Sequence, residues 1–278
     1  MKSHSCPHQY VDRSSGSIIT EKLIGDRTIS FLYNTLREQA PAMFKMLTGS
    51  RMSSILGYVH FDKQPTPGRN SRQLLKKLAI DPAECLEEKG YYDTHRKVFE
   101  RQIRYWQCRP MPEDMHSIVA PSDSRVLIGS LTPGSALFIK EKFFTVDELL
   151  GSGTRYGRVY EQGDFAVFRL TPDKYHYNHL PVDGIIEDTY QVEGDYHSCN
   201  PTAVVSQASV YSKNRRIVTI INTDVEGGTG VGLVAMVEIV ALMIGDIIQC
   251  YSENRYENPR ELKPRDLCRK GAPKSLFR

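Results

Sequence analysis

Apolar and polar positions alternate along this chain in two different textures, and the change falls near residue 113. Residues 1–18 are polar, rich in Ser, His, Gln and Gly, with too little apolar surface to bury, and read as a disordered tail. Beyond them Ile29, Leu32, Tyr33, Leu36, Met43, Met46, Leu47, Ile55 and Leu56 recur near helical spacing, and Pro41 marks a break. Two amphipathic helices are predicted. The turn-rich PTPGRNS (65–71) leads to a short helix over 72–80, and Asp81-Pro82 should begin another. Residues 94–107 read as a helix with Val98, Ile103 and Trp106 turned inward.

From residue 117 the period shortens towards that of strands. SIVAPSDSRVLIGSL (117–131) predicts two short strands around a turn at Pro121–Ser124. ALFIKEKFFTVDELLG (136–151) predicts a strand, then a short helix capped by Thr145 with Asp147 and Glu148 in its first turn. Phe165, Val167, Phe168 and Leu170 form one strand, and Val182, Ile185 and Ile186 lead into another. NRRIVTIINTD (214–224) is a strand and GGTGVG (227–232) a hairpin corner. The apolar run 235–252 is interrupted at Gly245; its β-branched residues argue for two core strands, with Glu238 either paired or at the rim. The expected fold is α+β: a helical segment over 19–112, then a β-rich core of mostly antiparallel strands over 113–278.

Composition narrows the partners. Among 278 residues, 40% are hydrophobic and 25% charged, ordinary for a globular protein. A net charge of +3 argues against a nucleic-acid partner, which calls for a concentrated basic face. No run of apolar residues is long enough to span a bilayer, and the N-terminus lacks the apolar core of a secretory signal. Six scattered cysteines without a CxxC pair read as reduced thiols of a cytosolic protein.

The chemistry concentrates in RLTPDKYHYNHLPVDG (169–184). His176 and His179 stand between Pro172 and Pro181, neither of which can donate to a sheet ladder, so the histidines are placed on an irregular connection between strands. Two imidazoles here can be a hydrogen-bonded structural pair, metal ligands, or general acid and base at neutral pH. A zinc site needs three or four ligands, and no Cys or acid pair stands at fitting spacing, so no metal is expected. The glycines of GSGTRYG (151–157) do not join a strand to a helix in the phosphate-binding manner.

The stretch as a whole resembles the phosphatidylserine decarboxylase family, whose members carry a close relative of R-L-x-P-x-D-Y-H-x-x-H-x-P-V-D-G. This chain has Arg169, Leu170, Pro172, Tyr175, His176, His179, Pro181, Val182, Asp183 and Gly184; Lys174 replaces the usual Asp, and Asp173 stands one place earlier. Other segments follow in the family's order. Arg109-Pro110 fits its Arg-Pro pair, and Pro121–Val126 resembles S-P-x-D-G-x-V, with Asp123 at the acidic position and Ser124 in place of Gly. VEGDYHSCNPTAV (192–204) resembles G-x-Y-x-S-V-N-P-x-A, and Lys270-Gly271 the K-G pair before the processing site.

The resemblance implies a proenzyme that cuts itself. A serine beyond Arg278, preceded by Gly, attacks that Gly's carbonyl while His179, oriented by Asp123, takes its proton. The serine remnant becomes a pyruvoyl group on a small (α) chain, and this chain is then the large (β) chain, or a form cut short before the Gly-Ser bond. The pyruvoyl carbonyl condenses with the substrate amine, and His176 returns a proton after carbon dioxide leaves. Tyr175, His197 and Asn200 are expected to line the substrate pocket. The implied partners are the small chain, a phospholipid, a membrane surface touched peripherally, and a second copy of the chain in a homo-oligomer. Apolar residues of the first helices, with Arg37, Lys45 and Arg51, would meet anionic headgroups. Two other readings stay open: pyruvoyl-dependent decarboxylation of free, including aromatic, amino acids, and a non-catalytic relative.

Overall fold

The computed structural model describes residues 8–21, 23, 25–63, 69–131, 136–139, 142–160, 162–206 and 210–278. Its strands are β1 (Gln9–Val11), β2 (Ile18–Thr20), β3 (Arg125–Ser130), β4 (Ala136–Ile139), β5 (Lys142–Thr145), β6 (Asp164–Arg169), β7 (Tyr177–His179), β8 (Gly184–Val192), β9 (Arg216–Asn222), β10 (Leu233–Ile239), β11 (Ile247–Gln249), β12 (Leu267–Cys268) and β13 (Pro273–Phe277). All pairings between them are antiparallel. With the helices of the first 108 residues, this is the expected α+β architecture.

The main sheet runs in the order β10-β9-β8-β12. β9, RIVTIIN, is buried on both faces, as a near-continuous apolar strand at the centre of a sheet must be. Side chains alternate along it. Val218 and Ile220 pack against Val146, Leu150 and Tyr156 on one face. Ile221 joins Ile186, Met236, Leu180 and Val182 on the other. The corner at 227–232 joins β9 to β10, and the run 235–252 divides into β10 and β11 around Gly245, as the pattern predicts. Thr145 caps the helix Val146–Leu150 through a reciprocal capping box with Glu148.

A second sheet, β11-β13-β7, is fastened to β10 through a buried polar knot. Glu238 of β10 meets Lys274 of β13 at 2.5 Å, both almost fully buried. Lys274 also donates to Gln249 Oε1 at 2.7 Å, Ser275 Oγ donates to Glu238, and Asn178 donates to Ser275 Oγ at 3.0 Å. Glu238 is thus paired, the alternative that its position in the sequence left undecided. Removing one member of such a pair strands the other's charge. Glu238→Ala should therefore cost about 3–5 kcal/mol in denaturant unfolding. Glu238→Leu combined with Lys274→Met should cost much less.

Six expectations need correction. Residues 9–20 form the β1–β2 hairpin rather than a disordered tail, while residues 1–7 lie outside the described set. The hairpin is clamped through Glu21, whose carboxylate accepts from Arg169 and lies 3.2 Å from Arg125, itself 3.4 Å over the Tyr10 ring. The two N-terminal helices are three: Asp26–Gln39, which passes through a π-helical stretch at Phe31–Leu36, then Pro41–Leu47 and Ser50–Phe61. The helix read over 94–107 is two short ones, His95–Phe99 and Tyr105–Cys108. Between them Ile103 bridges Cys85, and residues 82–86 form turns and this bridge instead of a new helix. Finally, only β3 forms within 117–131, whereas 136–145 holds the β4–β5 hairpin in place of one strand.

Candidate active site

Both histidines follow a tight turn in which Lys174 N–H donates to Thr171 O at 2.9 Å. The irregular connection predicted for them is only partly irregular. Pro172 and Pro181 withhold an N–H at their own positions alone, so Tyr177–His179 can pair as β7 with β13. His179 lies opposite Pro273, and its N–H donates to Pro121 O at 2.7 Å. His176 stands one residue before the strand, where its carbonyl accepts Phe277 N–H at 3.2 Å.

His179 is held at both ring nitrogens. Gly271 O, which can only accept, lies 2.7 Å from Nδ1, so Nδ1 carries a hydrogen. Nε2 lies 3.0 Å from Tyr175 Oη. The edge of the Tyr105 ring closes over the imidazole at 4.6 Å. Burial pushes this imidazole below its usual range, opposed by the Gly271 hydrogen bond and the negative charge of Asp123. Gly271 earns its identity through a φ of +77° and because any Cβ would collide with Met111 Sδ. Its neighbour Lys270 donates its N–H to Asp183 Oδ1 at 3.0 Å. The two sequence-distant motifs V-D-G and K-G therefore build one turn that presents a carbonyl to His179.

Asp123 lies on the turn that contacts His179 through Pro121, but its carboxylate faces Arg109. Arg109 Nε is 2.9 Å from both Asp123 oxygens, and Nη2 is 2.8 Å from Oδ2. Glu84 accepts two further bonds from the same guanidinium at 3.0 Å. Hydrogen bonding to Asp123 raises the Arg109 pKa. Among the described contacts, the ring nitrogens of His179 are held by Gly271 O and Tyr175 Oη and not by Asp123; Asp123 influences the imidazole through its charge.

His176 is stacked on Phe99 at 3.6 Å between ring centroids, and its Nδ1 is buried with no hydrogen-bond partner. Burial, and then the nearby Arg101 cation, push its pKa down to about 3. Arg101 is buried too. It donates to Val98 O at 3.0 Å and Asp173 O at 2.7 Å, tying the 95–104 segment to the histidine turn.

The remaining expected residues divide. Tyr175 belongs to the site and hydrogen-bonds Tyr256 Oη at 2.7 Å. His197 lies elsewhere: it stacks on Phe44 at 5.8 Å, with Tyr33 Oη 3.4 Å from Nδ1 and Asp195 3.5 Å from Nε2. Asn200 caps the helix Pro201–Ser206, its Oδ1 accepting Thr202 N–H at 2.8 Å. Neither shares a described contact with His176 or His179. Residues not foreseen from the sequence are Phe99, Arg101, Tyr105, Tyr256 and the Gly271 carbonyl. Only Gly271 carried a signal, as half of a K-G pair. Among the described residues no group of three or more His, Cys, Asp or Glu side chains is placed to hold a metal ion. No described helix is long and apolar enough to cross a membrane.

Comparison with known proteins identifies the family. The family model for phosphatidylserine decarboxylase matches residues 96–278, from the Phe99–Arg101 segment to the end of β13. A phosphatidylserine decarboxylase proenzyme of Fusobacterium nucleatum is 28% identical over 254 residues, covering 88% of this chain and 79% of that protein. One from Chlamydia trachomatis serovar L2 is 28% identical over 274 residues, 96% of this chain and 82% of the relative. The proenzyme 2 of Komagataella phaffii is 30% identical over 251 residues, 88% of this chain but 24% of that longer protein. With its histidine strand, its K-G turn and a family match over well more than half its length, this chain belongs to the phosphatidylserine decarboxylase family.

Proposed function

We propose that this chain is the large-chain part of a phosphatidylserine decarboxylase, a carbon–carbon lyase that converts phosphatidylserine to phosphatidylethanolamine and carbon dioxide. One observation carries the reading: β13, the strand that runs up to Arg278, pairs with the strand bearing His179 and hydrogen-bonds the His176 backbone. The segment that approaches the family's processing bond thereby lies in register with the backbone of both histidines. In this reading residues 113–278 are the catalytic core, 19–112 its helical flank, and the pyruvoyl-forming serine follows Arg278.

The residues present suit such a group. The buried, unpartnered Nδ1 of His176 is a polar atom that awaits a partner, and dry surroundings keep the ring neutral at pH 7. A pyruvoyl group supplies a carbonyl that condenses with an amine and draws electrons from the carbon–carbon bond being broken. The chain's own residues handle protons. Burial keeps His176 neutral in this chain; a substrate carboxylate seated beside Nδ1 would offset that desolvation and let the ring carry the proton that returns to carbon. His179 serves the earlier step, accepting the serine's proton, with Asp123 stabilising the imidazolium by charge. Tyr175 supports His179; His197 and Asn200 would contribute to the substrate pocket only from the helical side.

A lipid substrate is favoured over a free amino acid by the face of the N-terminal helices. Phe31, Met43, Met46, Ile55, Tyr58 and Val59 are each about half exposed, with Lys45 and Arg51 exposed among them. Such a surface suits shallow insertion into an anionic bilayer, and peripheral association at the cytoplasmic face follows.

The test uses the reading frame continued past Arg278. The precursor should split into two chains on a denaturing gel. Borohydride with phosphatidylserine should then add substrate mass to the small chain. A precursor that splits but yields no adduct and no carbon dioxide from phosphatidylserine would overturn the reading. Activity on free amino acids without binding to phosphatidylserine vesicles would transfer it to the second reading.

A further inference from the structure

His179 does not stand alone. From it a continuous hydrogen-bonded chain runs through Tyr175 to Tyr256 and ends on the backbone of Ile103. Its contacts are Gly271 O to His179 Nδ1 at 2.7 Å, Nε2 to Tyr175 Oη at 3.0 Å, Tyr175 Oη to Tyr256 Oη at 2.7 Å, and Tyr256 Oη to Ile103 O at 2.9 Å. Ile103 N–H also donates to Tyr256 Oη at 3.2 Å, using its own hydrogen.

The protons can be counted. Each contact needs one hydrogen between its two heavy atoms. Both ends of the chain are carbonyl oxygens, which only accept. The end contacts therefore claim the Nδ1 hydrogen and the Tyr256 hydroxyl hydrogen. Tyr175 must then donate to Tyr256, and the last contact, Nε2 to Tyr175, has to be filled from the imidazole. Four contacts thus call for four hydrogens, whereas a neutral histidine and two phenols bring three. The missing one arrives only when His179 is an imidazolium.

We infer that Tyr175 and Tyr256 are positioning residues that strengthen His179 as a base, because their hydrogen-bonded chain is complete only when the imidazole holds a second proton. The functional use of this rests on the reading of His179 as the processing base. When His179 is neutral, Tyr175 O–H donates to Nε2 and one contact further along stays empty. When a proton enters, Nε2–H donates to Tyr175, whose hydroxyl turns to Tyr256, and Tyr256 turns to Ile103 O. Both phenols are neutral before and after; the imidazole gains the one proton that the nucleophile loses. Stabilising the charged form by hydrogen bonds raises basicity. This offsets part of the desolvation that burial at 4% exposure imposes.

The other groups that face His179 leave the inference standing. Asp123 favours the imidazolium, but Arg109 already pairs with it. Tyr105, from the helix Tyr105–Cys108, offers a ring edge. The Lys270 amine is turned away to Asp114 O and Ser117 O. Tyr256 is further enclosed by Tyr105, Trp106 and Tyr177 rings at 5.6, 6.4 and 5.1 Å, which fixes its hydroxyl direction.

The experiment is a nitrogen-15 NMR titration of the histidine rings in the full chain, with the His179 signal identified by its loss in His179→Gln. In the parent the neutral ring should carry its hydrogen on Nδ1, the less common tautomer; a neutral ring protonated at Nε2 would overturn the count without any further variant. Tyr256→Phe removes two contacts and the demand for the extra proton. Its His179 midpoint should fall by about one pH unit, a tenfold loss of basicity. Tyr175→Phe should lower it as well, and the double variant should do no more than Tyr175→Phe alone. The other histidine signals report whether each variant is folded. An unchanged midpoint in a folded Tyr256→Phe chain overturns the inference. A parent precursor that never cleaves would instead count against the decarboxylase reading and leave the titration result intact.

Discussion

His179→Ala, placed in the full-length precursor, is expected to leave the chain uncut and therefore without any decarboxylase activity. The physical reason is specific to the position. Gly271 O fixes the hydrogen on Nδ1, which leaves Nε2, beside Tyr175 Oη, as the basic nitrogen; the ring is buried, and the described site offers no second imidazole on the Gly271 side. Loss of a positioned base commonly costs on the order of 10²–10⁴ in rate, and more where nucleophile and base act as a unit. A denaturing gel sampled over days reads the result directly as one band or two. Asp123→Asn is the informative companion. Its carboxylate acts on His179 by charge while bonded to Arg109, so cleavage should slow without stopping. Normal cleavage in His179→Ala would remove this residue from the role assigned to it.

His176→Ala should separate the two reactions: the precursor still divides, but turnover falls by on the order of 10²–10⁴. The variant also loses the ring stacked on Phe99, so His176→Gln is the fairer comparison for fold. A pH dependence follows from the same burial. The folded-state pKa is pushed from 6.5 down to about 3, so below about pH 6.5 the unfolded chain binds a proton that the folded chain refuses. The stability this neutral ring contributes is therefore complete above pH 6.5 and lost progressively as the pH falls. Replacing His176 by Gln should make the acid side of the stability profile shallower, by up to about 1.4 kcal/mol per pH unit for this single group. Urea melts at pH 7, 6, 5 and 4 would show it, and parallel profiles for parent and variant would contradict the neutral assignment. Full turnover in His176→Gln would displace the residue from proton return.

Much of the architecture was legible in the residues. The alternation in 214–224, the break at Gly245 and the capping box at Thr145 all act over a few positions, and local physics decides them. The helix read over 94–107 failed for a different reason. Its apolar spacing is genuinely helical, yet residues 101–104 find better partners in the backbone of residues 84–86, and Arg101 reaches across to the histidine turn. Local propensity is a weak prior where a long-range backbone pairing competes with it. Likewise the prolines flanking the histidines suggested a loop, because nothing local announces β13 as a partner. In the site, the motif R-L-x-P-x-x-Y-H-x-x-H holds Tyr175 and His179, which hydrogen-bond each other, and His176, whose ring packs on Phe99 instead. His197 and Asn200 matched a second motif, yet their described contacts are with Tyr33 and Phe44, and with the start of a helix.

Residue order alone was enough for the fold class, for the succession of most elements and for the chemistry available, since periodicity, caps and imidazoles are properties of short stretches. It could not reveal that a carbonyl from Gly271 holds His179, that Tyr256 lengthens the proton chain, or that Glu238 meets Lys274. Those contacts join positions 36 to 92 residues apart, or are passed on through a third residue, and only burial in a common core brings them within hydrogen-bonding reach. Hydrogen bonds act over about 3 Å, so which of many possible donors meets which acceptor is settled by packing and not by spacing along the chain.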